Sequence, residues 1–297
     1  MATEGVVGSV AALWRFPVKS MRGEPLEHAE LTKHGLVGDR SFALIDKETG
    51  KVVSAKSLRL FPDLLGCGAA CVDAPQSVHN LPPVRIELPD GRSVTSGSGE
   101  ADRVLSAYFR RDVTLARAAP EDFTIDQYHP DVEDADPAGH RNTFVEQRLG
   151  SAYFAQAGLP SPVPVGAFFD LFPVSALTTS TLARLSELRP QSRFDQRRFR
   201  MNVIVATDEA GFVENDWIGR ELTIGDTVRL RVARPDARCV MTTLAQDELP
   251  GDTDVLRTLV RHNRIHVGDA GQFPCAGVYA VVEEPGTVQR GDRVALT

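Results

Sequence analysis

Short β-strand patterns separated by turn signals recur along almost the entire chain, and no other sequence feature limits the fold as strongly. Residues 6–14 are rich in small and β-branched side chains, and Pro17 then prevents the strand from continuing. Residues 221–224 and 277–282 show similar patterns further along. Helical patterns are few and do not alternate with strands, as a doubly wound sheet requires. The sequence therefore predicts a mainly β, α+β fold of β-barrel-like domains with attached helices.

Two hairpins and three helices are predicted from local patterns. Residues 41–45 and 51–54 flank a turn that ends in glycine, and residues 84–88 and 93–95 flank a Pro-Asp-Gly turn. Apolar residues recur at helical spacing in three segments, 100–109, 178–188 and 252–262.

A polar segment without periodicity suggests where two domains meet. Residues 127–143 are rich in Asp, Pro, Gly and His, a composition typical of a long loop or linker. We therefore expect a smaller N-terminal β-barrel-like domain over residues 1–125 and a second β-barrel-like domain over residues 126–297.

Composition excludes several classes of protein. The net charge of −7 argues against sequence-independent binding to nucleic acid. No apolar run is long enough to span a membrane, and residues 1–8 contain no secretory signal. Four cysteines in 297 residues do not form the pattern of a disulfide framework. These features indicate a cytoplasmic protein with reduced thiols.

Common nucleotide and zinc motifs are absent from the sequence. It contains no glycine-rich dinucleotide fingerprint, no Walker A loop, no His-Glu-x-x-His and no Cys-x-x-Cys. Cys67 and Cys71 lie in an Ala/Gly-rich strand pattern and are interpreted as small buried thiols. His262 and His266 have a spacing that could serve zinc on a helix, but the helix is predicted to end near Asn263.

Three polar segments could carry chemistry. In the first, Lys19 and Ser20 follow a proline where backbone N–H groups become free, and Arg40 stands before the next strand. An ammonium, a hydroxyl and a guanidinium can bind a phosphate, although a solvated turn with surface cations is the alternative. In the second, Arg200 and Asn202 would share one face of a strand and could contact a heterocycle, the alternative being a polar edge strand.

The third segment contains Cys239, which follows Arg238 and precedes a strand-like stretch at 240–243. A neighbouring guanidinium favours the thiolate, which is both a nucleophile and a ligand for soft metals. Taken alone, these residues indicate an anion pocket with a reactive thiol and do not identify the anion.

In combination and order, these segments resemble the MOSC family, named for the C-terminal domain of molybdenum cofactor sulfurase. The family includes the mitochondrial amidoxime-reducing components and their bacterial relatives. Residues 16–20 and 35–40 resemble the MOSC N-terminal β-barrel region. Seven further segments resemble the MOSC domain proper, namely residues 199–202, 214–217, 224–226, 238–243, 256–259, 277–279 and 291–292. The resemblance covers nearly the whole chain.

The resemblance implies a role for each candidate residue. Cys239 would bind the molybdenum of a molybdenum cofactor (Mo-molybdopterin), and Arg238 would contact the cofactor. Its phosphate or pterin would be held by Lys19, Ser20 and Arg40. The pyranopterin would be contacted by Arg200 and Asn202 and by a helix start, Thr178, Thr179 and Ser180. Many relatives have a second cysteine where this chain has Asp236.

The implied activity is the reduction of N-hydroxylated compounds, namely amidoximes, hydroxylamines and N-oxides. The chain has no flavin, haem or iron–sulfur motif, so a separate electron-transfer protein carrying such a group would be needed. Two alternatives use the same residues. Cys239 could carry a persulfide in a sulfur carrier or sulfurtransferase, or the protein could store and deliver the cofactor without catalysis.

Overall fold

The structure is a computed structural model that describes residues 5–297. Its strands are β1 Gly5–Arg15, β2 Glu24–Leu26, β3 His28–Thr32, β4 Gly35–Leu36, β5 Ala43–Asp46, β6 Gly68–Cys71, β7 Val84–Glu87, β8 Ser93–Thr95, β9 Val113–Ala116, β10 Thr124–His129, β11 Thr143–Arg148, β12 Val174–Thr178, β13 Val203–Ala206, β14 Glu221–Ile224, β15 Val228–Ala237, β16 Arg264–His266, β17 Gln272–Glu284, β18 Gly286–Gln289 and β19 Arg293–Leu296. Its α-helices are α1 Ala101–Phe109, α2 Ser151–Gln156, α3 Thr179–Leu188 and α4 Asp254–His262. Short 3-10 turns lie at Leu64–Gly66, Gln196–Arg198, Val213–Trp217, Val240–Thr243 and Gly268–Ala270.

A closed barrel forms the larger part of the fold. Its strands are hydrogen-bonded in the order β12, β13, β1, β19, β14, β15 and β17, and β17 pairs with β12 to close the ring. Its core is filled by buried aliphatic side chains and by Trp217. Closure pairs strands that would otherwise form open sheet edges. The mainly β, α+β fold with a β-barrel is confirmed.

A smaller β region packs around a second core. It contains the sheet β6-β7-β8, the pair β5-β9 and helix α1. The predicted hairpin of β7 and β8 is confirmed, with Ile86 opposite Val94. The predicted hairpin of residues 41–45 and 51–54 is present as a short antiparallel contact, in which Ile45 bridges Val52 and the Val53 N–H donates to the Leu44 carbonyl at 2.8 Å. The longer ladder of β5 is with β9, which the sequence did not predict. Local turn signals cannot reveal such a distant strand partner.

The segment predicted as a linker is part of a hairpin. Strands β10 and β11 pair in six registered positions, from Thr124 opposite Arg148 to His129 opposite Thr143. Only residues 130–142 form the loop between them. The division into residues 1–125 and 126–297 stays a prediction. Strand β1 lies in the same barrel as strands that follow residue 126.

The helices agree with their apolar patterns. Helix α3 begins after Thr178, whose side chain accepts a hydrogen bond from the N–H of Thr181. Helix α4 ends at His262, and His266 lies on strand β16, so the two imidazoles do not share a helix face. Across residues 5–297, no helix has the length and apolar character needed to cross a membrane.

Candidate functional site

A cavity of about 500 Å³ brings together distant parts of the chain. Its wall includes seven of the residues singled out in the sequence, Lys19, Ser20, Arg40, Arg200, Asn202, Arg238 and Cys239. The segments that contain Arg200 and Cys239 reach the cavity beside β13 and β15, two strands of the barrel. The segment with Lys19 and Arg40 reaches it from the turns that follow β1 and β4. The cavity is therefore the candidate functional site.

Cys239 presents the thiol of this cavity. It lies between strand β15 and the turn Val240–Thr243 and is partly exposed. That turn is a 3-10 helix rather than the predicted strand, and the hydroxyl of Thr242 donates to the Cys239 carbonyl at 3.0 Å.

The other three cysteines lie outside the cavity wall. Burial raises the pKa of the Cys67, Cys71 and Cys275 thiols to about 12, so they stay protonated at neutral pH. Cys67 is buried, as predicted, whereas Cys71 is partly exposed, so the prediction of a buried thiol holds for Cys67 only.

Arg238 is held beside Cys239 by a buried carboxylate. Its Nη1 lies 2.5 Å from Asp236, and its Nη2 donates to the Phe199 carbonyl. Burial raises the pKa of Asp236, which also accepts a hydrogen bond from Tyr279. The Nε of Arg238 is buried without a hydrogen-bond partner among residues 5–297. One donor of this guanidinium is thus left unsatisfied by the protein.

Two buried lysines share one carboxylate in the cavity wall. Asp170 accepts from Lys19 and, at 2.8 Å, from Lys56, while Lys19 also donates to the Phe168 carbonyl at 3.0 Å. Burial alone would raise the pKa of Asp170, but the two lysine charges outweigh it and hold that pKa far below its ordinary value. Burial lowers the pKa of Lys19, and Asp170 offsets part of that shift. The cluster therefore carries one excess positive charge.

Replacing Asp170 by asparagine is expected to destabilise the fold by about 2 kcal/mol at pH 7, because two buried ammonium groups lose their partner. The depressed pKa means that the wild-type contribution is present above pH 4 and is lost as pH falls towards the folded-state value. The difference in stability between the two proteins should therefore shrink as the pH falls below 4. Urea unfolding across pH 2–7 measures this.

The control for that experiment is Asp112→Asn, which removes the carboxylate from an exposed pair with Lys47. It should change the free energy of unfolding by no more than about 0.5 kcal/mol. An Asp170→Asn protein that matches this control at pH 7 would show that the buried cluster adds nothing to stability.

Three cavity residues have left-handed backbone conformations that non-glycine residues rarely adopt. Ser20, Arg40 and Arg200 have φ values of 65°, 45° and 58°. Arg200 precedes β13 and is not part of a strand, so the predicted shared strand face with Asn202 is wrong. Strained backbone of this kind tends to occur where side chains must be presented to a site.

Arg40 and Arg200 stand over the ring of Phe16, 4.3 Å and 4.5 Å from its centroid. Arg40 pairs with Asp39 at 2.5 Å. Arg200 donates to the Met21 carbonyl at 2.6 Å, and no carboxylate within residues 5–297 lies at ion-pair distance from it. Burial, followed by the charge of Arg40, lowers the pKa of Arg200 to about 9. It is a buried, charged guanidinium that lacks a direct counterion.

Asn202 lines the cavity, but its carboxamide is used inside the protein. Its Oδ1 accepts from the Ser175 N–H and hydroxyl, and its Nδ2 donates to Asp39 at 2.9 Å and to the Trp14 carbonyl. These bonds join β1, β12 and the loop before Arg40. Asn202 therefore holds neighbouring elements of the cavity wall in position.

The structure does not bring the start of helix α3 to the cavity wall. The hydroxyls of Thr178 and Thr181 donate to the fully buried Glu214, Thr178 at 2.6 Å. Thr179 and Ser180 bind Thr207. These hydroxyls are already satisfied, so the sequence-based role of Thr178, Thr179 and Ser180 in holding a ligand gains no support from their positions.

The sequence analysis missed several residues of the cavity wall. It gave no pairing role to Lys56, Asp170 or Asp236, and it did not single out His129 or Tyr279. Lys56 and Asp170 are 114 positions apart in the chain. The available signal was an isolated Asp170 between apolar neighbours, which indicates a paired or ligand-binding carboxylate.

Comparison with known protein families agrees with this architecture. Residues 7–96 match the model of the MOSC N-terminal beta barrel domain, and residues 166–295 match the model of the MOSC domain. Together the two models span most of the chain. The chain belongs to the MOSC family. The larger model contains Cys239, Arg200 and Arg238, and the smaller one contains Lys19, Ser20, Arg40 and Lys56.

Curated relatives extend over nearly the whole of this MOSC protein. It is 26% identical to human mitochondrial amidoxime-reducing component 1 over 98% of this chain and 83% of the relative. It is also 26% identical to the mitochondrial amidoxime reducing component 2 of Macaca fascicularis, over 97% of this chain and 83% of the relative. Among solved structures, the YuaD protein from Bacillus subtilis aligns over 98% of this chain and 96% of its own, with 12% identity and a TM-score of 0.43.

Proposed function

We propose that this MOSC protein binds a molybdenum cofactor in the cavity and reduces N-hydroxylated compounds. The observation that supports the proposal most directly is the meeting of a partly exposed thiol, Cys239, with buried cations in one wall. A cofactor that carries both a soft metal and a phosphate needs both kinds of group. The relatives named as amidoxime-reducing components support the same reaction class.

The residues present fit such a cofactor. Arg200 is a buried cation without a direct counterion, and Arg238 has a buried Nε without a partner. Lys19 and Lys56 share a single carboxylate, so their cluster keeps an excess positive charge. A bound anion would offset the excess positive charge of Arg200 and of the lysine cluster. Lys19, Lys56 and Arg200 would hold the anionic part, and Cys239 would supply the metal's protein thiolate.

The bound cofactor would supply the two-electron chemistry that reduces an N–OH group to N–H with release of water, a reaction that consumes two electrons and two protons. The chain's own residues would orient the cofactor and shield it from solvent. Asp236 and Arg238 position the segment that carries Cys239. Ammonium protons on Lys19 and Lys56 offer hydrogen-bond donors to oxygen atoms in the cavity.

Electrons would have to come from a separate protein that carries a flavin, a haem or an iron–sulfur cluster. The alternative function is a sulfur carrier in which Cys239 holds a persulfide. The paired lysines and Arg200 favour the cofactor, because a persulfide relay through a small sulfur atom does not require a cationic cavity of about 500 Å³.

The function is tested on protein made in a host that synthesises the cofactor. Molybdenum is determined by elemental analysis, and turnover is measured with a hydroxylamine and an artificial electron donor. We expect near-stoichiometric molybdenum and turnover. Bound molybdenum without turnover would indicate a storage protein, and no molybdenum together with a persulfide on Cys239 would indicate the sulfur carrier.

Replacing Arg200 by glutamine is expected to reduce molybdenum content at least about tenfold, since a buried cation that would pair with the cofactor is removed. The free energy of unfolding should fall by no more than about 1 kcal/mol. The bond to the Met21 carbonyl and the contact with the Phe16 ring are lost, but so is the cost of burying a charge without a direct counterion. Arg92→Gln, at an exposed pair with Asp90, is the control. Unchanged molybdenum content in Arg200→Gln would contradict the role given to this guanidinium.

A further inference from the structure

A second cluster of possible ligands lies in the cavity wall, away from Cys239 in the chain. His129 stands at the end of β10, and Asp136 and His140 lie in the loop that joins β10 to β11. One ligand atom from each residue lies within 4.8 Å of the others. His129 and Asp136 line the cavity. Two imidazoles and one carboxylate therefore converge at its rim.

The distances within this cluster are close to those of a metal site. The Nδ1 atom of His129 lies 3.5 Å from Asp136 Oδ2, and the Nδ1 atom of His140 lies 2.5 Å from the same oxygen. Ligand atoms at about 2.0–2.1 Å from a tetrahedral zinc ion are separated by about 3.4 Å. The separation between His129 Nδ1 and Asp136 Oδ2 is already close to this value. The His140 side chain is 40% exposed, so it can move about 1 Å to admit an ion.

The loop backbone orients the carboxylate of this cluster. Backbone N–H groups of Ala138 and His140 donate to the Asp136 carboxylate and orient it.

The loop is held on the barrel by contacts that do not involve the cluster. Asp134 pairs with Arg264 of β16 at 3.0 Å. Pro137 packs so closely on Gly271 that a Cβ there would lie 2.8 Å from the Pro137 Cβ. The three ligands are thus positioned before any ion binds, and their replacement need not unfold the loop.

We propose that His129, Asp136 and His140 form a binding site for a divalent transition-metal ion, with Zn²⁺ as the best match to this ligand set. Three protein ligands leave at least one coordination position for water or for an oxygen atom of a bound molecule. Since two of the three ligands line the cavity, the ion would form part of its wall. This site is separate from the proposed thiolate site and does not depend on the proposed reductase function.

The test is a Zn²⁺ titration of protein freed of metal by dialysis against a chelator, with a chromophoric zinc indicator as competitor. We expect one site with a dissociation constant in the micromolar range or below. His140→Ala and Asp136→Asn should each weaken it at least about tenfold. Asp136→Asn is nearly isosteric and keeps one of the two oxygens that accept from the loop N–H groups, so its fold should survive, and circular dichroism checks this.

The double variant His262→Ala/His266→Ala is the matched control, because it removes two imidazoles elsewhere and should leave Zn²⁺ affinity unchanged. Cys239→Ser should also retain the site. Equal affinity in wild type, His140→Ala and Asp136→Asn would overturn the proposal, as would Zn²⁺ binding that disappears in Cys239→Ser. Substitution with Co²⁺ adds a spectroscopic readout, since its visible absorption should lack a thiolate charge-transfer band.

Discussion

Cys239→Ala is expected to lower the turnover of a hydroxylamine by about two orders of magnitude or more. The molybdenum content of the protein should fall as well. The cause is the loss of the thiolate that we propose as the metal's protein ligand. The fold should persist, because replacement of Sγ by hydrogen removes one atom from a partly exposed side chain. Elemental analysis, turnover and circular dichroism on the same preparations measure the three effects.

Cys71→Ala is the matched control for this thiol. Cys71 is also partly exposed, but it lies on β6 outside the cavity wall. Molybdenum content and turnover should equal those of wild type. A Cys239→Ala protein that keeps full molybdenum content and turnover would refute the proposed ligand. One that keeps its molybdenum but loses turnover would show that the cavity retains the cofactor through its other contacts.

Arg198→Met is expected to lower the free energy of unfolding by about 3 kcal/mol. Arg198 is completely buried, and its guanidinium donates to the carbonyls of Arg193, Thr242, Leu244 and Pro250. Methionine fills similar space but leaves these four acceptors without that donor. Two of the carbonyls lie in or just after the turn that follows Cys239, so molybdenum retention should fall as well.

The control is Arg193→Met, a neighbouring arginine whose side chain is 54% exposed and pairs with Glu248 at 3.6 Å. It should cost no more than about 0.5 kcal/mol. Urea unfolding measures both stabilities, and elemental analysis measures the metal. If Arg198→Met were as stable as Arg193→Met, the buried guanidinium would not be what secures the Cys239 turn.

Much of the local structure could be predicted from the sequence. The strand before Pro17, the hairpin of β7 and β8, and helices α1, α3 and α4 were all indicated by apolar periodicity and turn residues. These features depend on neighbours within a few positions, which is the range that such patterns report. The strand partner of β5 is more than 60 positions away, and no local pattern could reveal it.

Part of the candidate site could be predicted, because some of its residues have a recognisable local sequence context. Lys19, Arg40 and Cys239 stand at turns beside strands, where polar side chains have no role in a core, and the structure brings them to one cavity. Thr178 has the same local appearance, yet its hydroxyl is used by Glu214. Whether a polar group is free for a ligand or satisfied inside the protein depends on its three-dimensional neighbours.

By itself the sequence determined the β-rich character, the positions of most turns and the order of motifs that marks the family. Only the tertiary structure decided which charges pair: Asp170 lies between Lys19 and Lys56, and Arg200 is left without a direct counterion. It also decided that His129, Asp136 and His140 converge. The physical reason is that closure of the barrel and the pairing of β10 with β11 bring remote residues within a few ångströms, where desolvation and charge govern their chemistry.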